Sequence, residues 1–268
     1  MAKRKFRVWR GNAEGGEFET YEAEVSEGMV VLDVLHEIQA QQAGDLAIRW
    51  NCKAGKCGSC SMEINGRPRL ACMTRMNIFE PGETLTIQPL KTFPIIKDLV
   101  TDVSWNYEQN QRIKPFTPRA READGEHRMY QQDVDRVQEY RKCIECFLCQ
   151  TVCHVLRDRD GKDRFSGPRF MIRAAGLEMN PLDDADRIPE IRDELGSGMC
   201  NITRCCTEVC PEHINITDNG IIPLKERVVD RYYDPLRIIG RKLLGKKVRT
   251  QSKPYQAPKP PKPRFHDE

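Results

Sequence analysis

In the opening stretch KFRVWRG the apolar residues Phe6, Val8 and their neighbours alternate with basic ones, which predicts a strand. FETYEAEVSEG predicts a second strand. Val31, Val34, Leu35 and Ile38 then recur at i, i+3, i+4 and i+7, the spacing of one apolar helix face. Further on, SMEINGRPRLACM sets Asn65-Gly66 between strand-like residues, a type I′ hairpin signal, and GETLTIQPL predicts one more strand. A sheet, one helix and a hairpin before residue 104 predict a small ubiquitin-like β-grasp domain over residues 1–103.

Between 104 and 135 the chain turns polar and charged (PRAREADGEHR), so a lightly packed connecting segment is expected. From 136 to 240 the pattern is helical. Pro168 is placed to start the helix of GPRFMIRAAGLEM, and Ile221, Leu224 and Val228 line another. The predicted fold class is α+β, a β-grasp domain followed by an all-α domain, with residues 241–268 as a separate tail.

Composition narrows the function. With 268 residues, 31% of them charged, and a net charge of +3, the chain lacks the clustered positive charge of a nucleic-acid binder. No stretch approaches the ~20 apolar residues of a membrane-spanning helix. MAKRK is not followed by the apolar core of a signal peptide, so an untranslocated protein is expected. In such a reducing compartment twelve cysteines point to metal ligation rather than disulfides.

The cysteines fall into three groups of four. Cys52, Cys57, Cys60 and Cys72 have the spacing C-x4-C-x2-C-x11-C, which matches the plant-type [2Fe–2S] signature. Gly55 and Gly58 within NCKAGKCGSC let the backbone wrap a cluster and aim N–H groups at its sulfurs. The competing reading, a non-redox zinc scaffold, would use C-x2-4-C pairs instead. CIECFLCQTVC places Cys143, Cys146, Cys149 and Cys153 in the bacterial ferredoxin spacing, whose fourth cysteine serves a second cluster. The same ruler laid on CNITRCCTEVCP falls on Cys200, Thr203, Cys206 and Cys210. Crossed ligation then gives one [4Fe–4S] cluster to Cys143, Cys146, Cys149 and Cys210, and leaves Cys153, Cys200 and Cys206 for a [3Fe–4S] cluster. Thr203 stands where a fourth ligand would be. Cys205, off the ruler, is expected to be a small buried apolar residue.

One plant-type and two ferredoxin-type sites in this order resemble the iron–sulfur subunit of the succinate dehydrogenase and fumarate reductase family. RWNCKAGKCGSC, PIIKDLVTDVSWNYEQNQRIKPF and FSGPRFMIRAAG carry the same resemblance, which extends to about residue 240. It implies an electron-transfer subunit with no dicarboxylate site and no catalytic residue of its own. Electrons from the FAD of a flavoprotein subunit would pass through the three clusters to a quinone at a membrane anchor. The setting it implies is the cytoplasmic face of the cell membrane, held there by anchor subunits.

Three departures bear on the quinone. In the family the middle run is often followed by proline and a nearby tryptophan, whereas Cys153 is followed by HVLRDRDG, and Asn201 stands where ubiquinone-linked members often have histidine. The pattern looks more like the menaquinone-linked branch. Succinate oxidation and fumarate reduction share this subunit plan, so the direction stays open. His154 is expected on a helix surface rather than as a proton donor; His36, His127, His213 and His266 have no ligand spacing. Lys53, Lys56, Arg67 and Arg69 are expected to be solvated. The tail, residues 241–268, has nine Lys or Arg against two acids, a net of +7 that leaves the rest of the chain at −4. It is expected to be extended, and basic segments of this kind favour anionic lipid by ~1 kcal/mol per cation.

Overall fold

The computed structural model describes residues 2–158 and 160–244. Strands β1 (Ala2–Asn12) and β2 (Gly15–Val25) form a long antiparallel hairpin that pairs Ala2 with Val25 and Asn12 with Gly15. The hairpin β3 (Ser61–Ile64) and β4 (Arg67–Leu70) follows, and β5 (Leu85–Gln88) lies between β3 and β1, parallel to β1. Two short strands, β6 (Ile95–Lys97) and β7 (Val100–Thr101), extend the sheet from the Asn12 end of β1. At the β3–β4 turn Asn65 and Gly66 have φ of 48° and 72°, the two left-handed residues that a type I′ turn requires.

Helix α1 (Val31–Gln41) crosses this sheet and buries Val31, Leu32, Val34, Leu35 and Ile38 against Phe6, Val8, Leu85 and Ile87. Each such side chain contributes about 1.5–3 kcal/mol on burial. The unpaired amides at the start of α1 find carbonyls in the segment that carries Cys72: Val31 donates to Thr74 (2.9 Å) and Leu32 to Ala71 (3.2 Å). Asp98, buried with φ 48°, accepts from the amides of Gly11 (3.0 Å) and Ala47 (2.8 Å) and from Arg10 Nε (3.2 Å). That carboxylate ties the sheet edge to the loop leading to Cys52.

A second core is built from helices: α2 (Ser104–Arg112), α3 (Gln131–Gln138), α4 (Leu148–Val152), α5 (His154–Arg157), α6 (Gly161–Arg164), α7 (Pro168–Glu178), α8 (Ile188–Asp193), α9 (Cys205–Glu208) and α10 (Ile222–Tyr232), with α11 (Pro235–Leu243) beyond it. Pro168 sits in the first turn of α7, as expected. Ile221, Leu224 and Val228 are buried, and a π-helical turn, Ile216–Ile221, leads directly into α10.

The stretch expected to connect the domains lightly is in part firmly packed. Gln109 of α2 accepts from Ser166 Oγ (2.9 Å), and Asn106 accepts from Gln150 Nε2 (3.3 Å), with all four side chains buried. Arg187, fully buried at the start of α8, donates to the carbonyls of Lys114 (2.9 Å) and Pro115 (2.5 Å) and pairs with Asp183 at 2.9 Å. Polar residues enter a core when each donor and acceptor has a partner. Composition alone could not reveal those partners. Residues 245–268, most of the basic tail, lie outside the described residues.

Candidate metal centres

The first thiol group sits on a loop whose conformation its sequence dictates. Lys53, Gly55 and Gly58 have φ of 53°, 69° and 70°, and the turn so made points the amides of Ala54 (3.4 Å) and Lys56 (3.3 Å) at Cys52 Sγ. Burial raises the Cys57 thiol, but hydrogen bonds from Ser59 and at Cys52 outweigh it and bring the pKa down to about 6. Cys60 is buried at the head of β3, accepts from the Cys72 amide (3.4 Å), and is pushed up to about 12, mainly by burial. Cys52 and Cys57 thus meet on the loop and Cys60 and Cys72 at the open end of the β3–β4 hairpin, with the charge of Cys57 acting on Cys60.

The second and third runs share one backbone pattern. After Cys143, the residues two and four positions on, Glu145 and Phe147, have φ of 55° and 59°. After Cys200, the residues two and four positions on, Ile202 and Arg204, have φ of 60° and 62°. Phe147 caps α4 and Arg204 caps α9, each in the left-handed conformation. Superimposing the pattern puts Thr203 in the place of Cys146 and Cys206 in the place of Cys149.

Electrostatics sort the thiols across the two runs. Burial pushes up Cys143, Cys146 (to about 12) and Cys149, and for all three the charge of Cys210 adds to the upward push. Burial likewise raises Cys153, and Cys206 to about 11; the thiols acting on these two include Cys200 and Cys205. Cys210 therefore lies near the first three cysteines of the middle run, as Cys206 does to Cys149, while Cys153 lies near Cys200, Cys205 and Cys206. Thiols raised in this way are protonated when bare, and positive iron is what would draw off their protons. An all-thiol donor set on glycine-bearing and left-handed loops, with amides aimed at sulfur, fits iron–sulfur clusters.

Cys205 departs from its expected place. It is half-buried, not buried apart, with Sγ 3.2 Å from Thr203 Oγ1 and 3.6 Å from the Val152 carbonyl, which places it beside the third group. The reason is that α9 begins at Cys205, so the side chain folds back over the capping turn. Other neighbours escaped sequence reasoning. Lys225 Nζ donates to the Cys200 carbonyl (2.8 Å), Thr217 Oγ1 lies 3.4 Å from Cys206 Sγ, and buried Arg169 pairs with Glu145 (2.5 Å). These are contacts between residues far apart in the chain, and no local spacing announces them.

His154 is exposed, with Nε2 3.0 Å from Asn201 Nδ2, so it lies on the surface beside the third group. Lys56, expected to be solvated, pairs with Glu212 at 2.9 Å and joins the first loop to the segment after Cys210. Lys53 stands over the Trp50 ring at 4.5 Å.

The first and second groups abut. A Cβ on Gly58 would come within 2.6 Å of Cys146 Cα, and Ser61 Oγ donates to the carbonyls of Gly58 (2.7 Å) and Cys146 (2.9 Å). Phe147 packs edge-on against Phe93, and Phe147 and Leu148 are buried in the core of the sheet domain.

Comparison with known proteins is consistent with this layout. Residues 5–108 match the family described as a 2Fe-2S iron-sulfur cluster binding domain, and residues 139–214 match a 4Fe-4S dicluster domain. The chain is 33% identical over 204 residues to the fumarate reductase iron-sulfur subunit of Mycobacterium tuberculosis, covering 74% of this chain and 81% of that one. It is 30% identical over 238 residues to the succinate dehydrogenase iron-sulfur subunit of Paracoccus denitrificans, covering 85% and 89%. A chain of the Mycobacterium smegmatis Sdh1 complex in the apo form matches with 61% identity and a TM-score of 0.85, over 88% of this chain and 99% of that one. The chain spans 42%, 44% and 40% of the length of three longer archaeal relatives. By these likenesses, and by the order of its thiol groups along two packed cores, the chain belongs to the family of iron–sulfur subunits of succinate dehydrogenases and fumarate reductases.

Proposed function

We propose that this chain relays electrons between the FAD of a flavoprotein subunit and a membrane quinone in a succinate:quinone oxidoreductase. Cys52, Cys57, Cys60 and Cys72 hold a [2Fe–2S] cluster, Cys143, Cys146, Cys149 and Cys210 a [4Fe–4S] cluster, and Cys153, Cys200 and Cys206 a [3Fe–4S] cluster. When bound, these clusters supply reversible one-electron chemistry at potentials set by their surroundings. The protein's own part is to position and insulate. Ser61 and the bare backbone of Gly58 hold the first two thiol groups against each other, and burial of Cys149, Cys153 and Cys206 keeps water from the second and third.

What supports the reading is the reciprocity of the two helical runs, which are left-handed at the same offsets, at Glu145 and Phe147 and at Ile202 and Arg204, with Cys210 acting on the thiols of the middle run and Cys153 on Cys206 of the last. The absence of a histidine at Asn201 and of a tryptophan after Cys153 favours menaquinone as the partner. The same relay run in reverse, as a quinol:fumarate reductase, uses every residue in the same way. Attachment through anchor subunits at the cytoplasmic face is the arrangement that the family membership supports; among the described residues no helix is long and apolar enough to cross a membrane.

Electron paramagnetic resonance of the anaerobically purified complex tests the assignment. Three distinct signals are expected: a three-iron signal in the oxidised state, and two-iron and four-iron signals on reduction. A colourless, iron-free folded complex would return the zinc scaffold to first place.

A further inference from the structure

Among the described α-helices, α11 alone has no buried residue along its length. Its apolar side chains gather on one stripe. Leu236 and Leu243 are 80% and 81% exposed, and Ile239 and Leu244 are exposed beside them. At 100° per residue these positions lie within one helix face, with Arg237 and Arg241 along one flank and Lys242 along the other. The helix is built to stay formed. Asp234 caps it by accepting from the amides of Leu236 (2.9 Å) and Arg237 (3.2 Å).

Its orientation is held from behind. Arg237 pairs with Asp230 at 3.1 Å, and Arg241 donates to the carbonyls of Asp230 (2.9 Å) and Arg231 (2.8 Å) at the end of α10. Ile238, on the opposite side from the stripe, is half-buried. The leucines therefore point away from the body of the protein.

We propose that α11 lies on an anionic phospholipid surface, its leucine stripe at the acyl boundary and its cations among the headgroups. An apolar stripe flanked by basic residues is the arrangement of interfacial helices, and each cation near such a surface favours binding by about fivefold. Charge complementarity selects lipid over a protein groove. No acid lies on the stripe, and the sequence continues with Lys246, Lys247 and Arg249, with no acid before Asp267. For its setting the inference rests on the membrane-peripheral reading above, but its observation is independent of the clusters.

Flotation of the full chain, with iron content measured on the same sample, tests it. The probes are vesicles of phosphatidylcholine alone or mixed with phosphatidylglycerol. Wild-type protein is expected to float with the mixed vesicles and not with the neutral ones, and to be released by salt. Leu236→Glu with Leu243→Glu should weaken the partition at least about tenfold, and Lys242→Gln, which leaves the Arg237 and Arg241 contacts to α10 in place, about fivefold. These variants leave the buried cores untouched, and unchanged cluster absorption would confirm that they fold. Wild-type protein that fails to float while retaining its iron overturns the inference and leaves the relay intact. So does a leucine variant that floats normally but loses anchor chains from the solubilised complex, or one that breaks a dimer of this chain, because the stripe would then be a protein interface.

Discussion

Thr203 and Cys205 divide one question between them. Thr203 follows the left-handed Ile202 as Cys146 follows the left-handed Glu145, so the backbone sets a hydroxyl at the offset where the middle run has a thiol. On the proposed ligation, replacing Thr203 with Cys should convert the three-iron site to a four-iron one, abolish the oxidised-state paramagnetic signal, and slow electron delivery to quinone. Cys205→Ser should leave the cluster type unchanged, since a hydroxyl can keep the contact to Thr203 Oγ1. Two four-iron clusters in the wild type, one of them lost in Cys205→Ser, would make Cys205 the fourth ligand. Gly58 and Gly66 offer a matched pair at the same scale. Their φ values are 70° and 72°, so an added methyl meets equal backbone strain of about 1–2 kcal/mol. Space differs, because nothing lies within 4 Å of a Cβ on Gly66 whereas one on Gly58 meets Cys146. Gly58→Ala should therefore lower the thermal midpoint further than Gly66→Ala, and equal losses would remove the loop contact from the account.

At the scale of elements, α8 and the segment before α3 are joined at a carboxyl that titrates. Burial pushes Glu190 up to about 7, against the opposing hydrogen bond that its Oε1 accepts from the Lys114 amide at 3.2 Å. A carboxyl whose folded pKa exceeds its unfolded value binds more protons in the folded state. Its contribution to stability is thus fully present below about 4.5 and is lost as pH rises through about 7. The loss is of order 3 kcal/mol at most. Glu190→Gln should flatten this part of the stability profile, read as the denaturation midpoint at mildly acid and mildly alkaline pH. A variant with the wild-type slope would show that Glu190 does not titrate there. The same elements explain why the connecting segment was only partly legible. Helix α2 has few apolar residues, so hydrophobic periodicity is silent about it, and its buried polar side chains depend on Ser166 and Gln150, more than forty residues away in sequence.

For the whole molecule, two cores meet at the Gly58–Cys146 contact. All four thiols of the first group lie between residues 52 and 72 and are supported by the sheet and α1. Cys57→Ser should remove or strongly perturb the two-iron signal and leave the four-iron and three-iron signals in place. Loss of all three in a protein shown by circular dichroism to be folded would mean that the cores do not fold independently. The second and third groups are not expected to separate in this way, because Cys210 acts on the thiols of the middle run and Cys153 on Cys206 of the last.

Much of this was readable in one dimension, for a physical reason. The ferredoxin spacings, the Asn65-Gly66 turn, the start of α7 at Pro168 and the apolar face of α1 all depend on residues within a few positions of one another, where backbone sterics and helical geometry act alone. The chain by itself therefore determined the α+β class, the three thiol groups and the ruler that isolates Thr203. Tertiary structure decided what rests on distant partners: which buried polar residues of α2 are satisfied, where the Arg187 guanidinium finds its acceptors, how close the first loop comes to the second, and that Cys205 lies against Thr203. It also decided that the stripe of α11 faces outward. An amphipathic pattern says that a helix has an apolar face, but only the packing of its other side determines whether that face is covered.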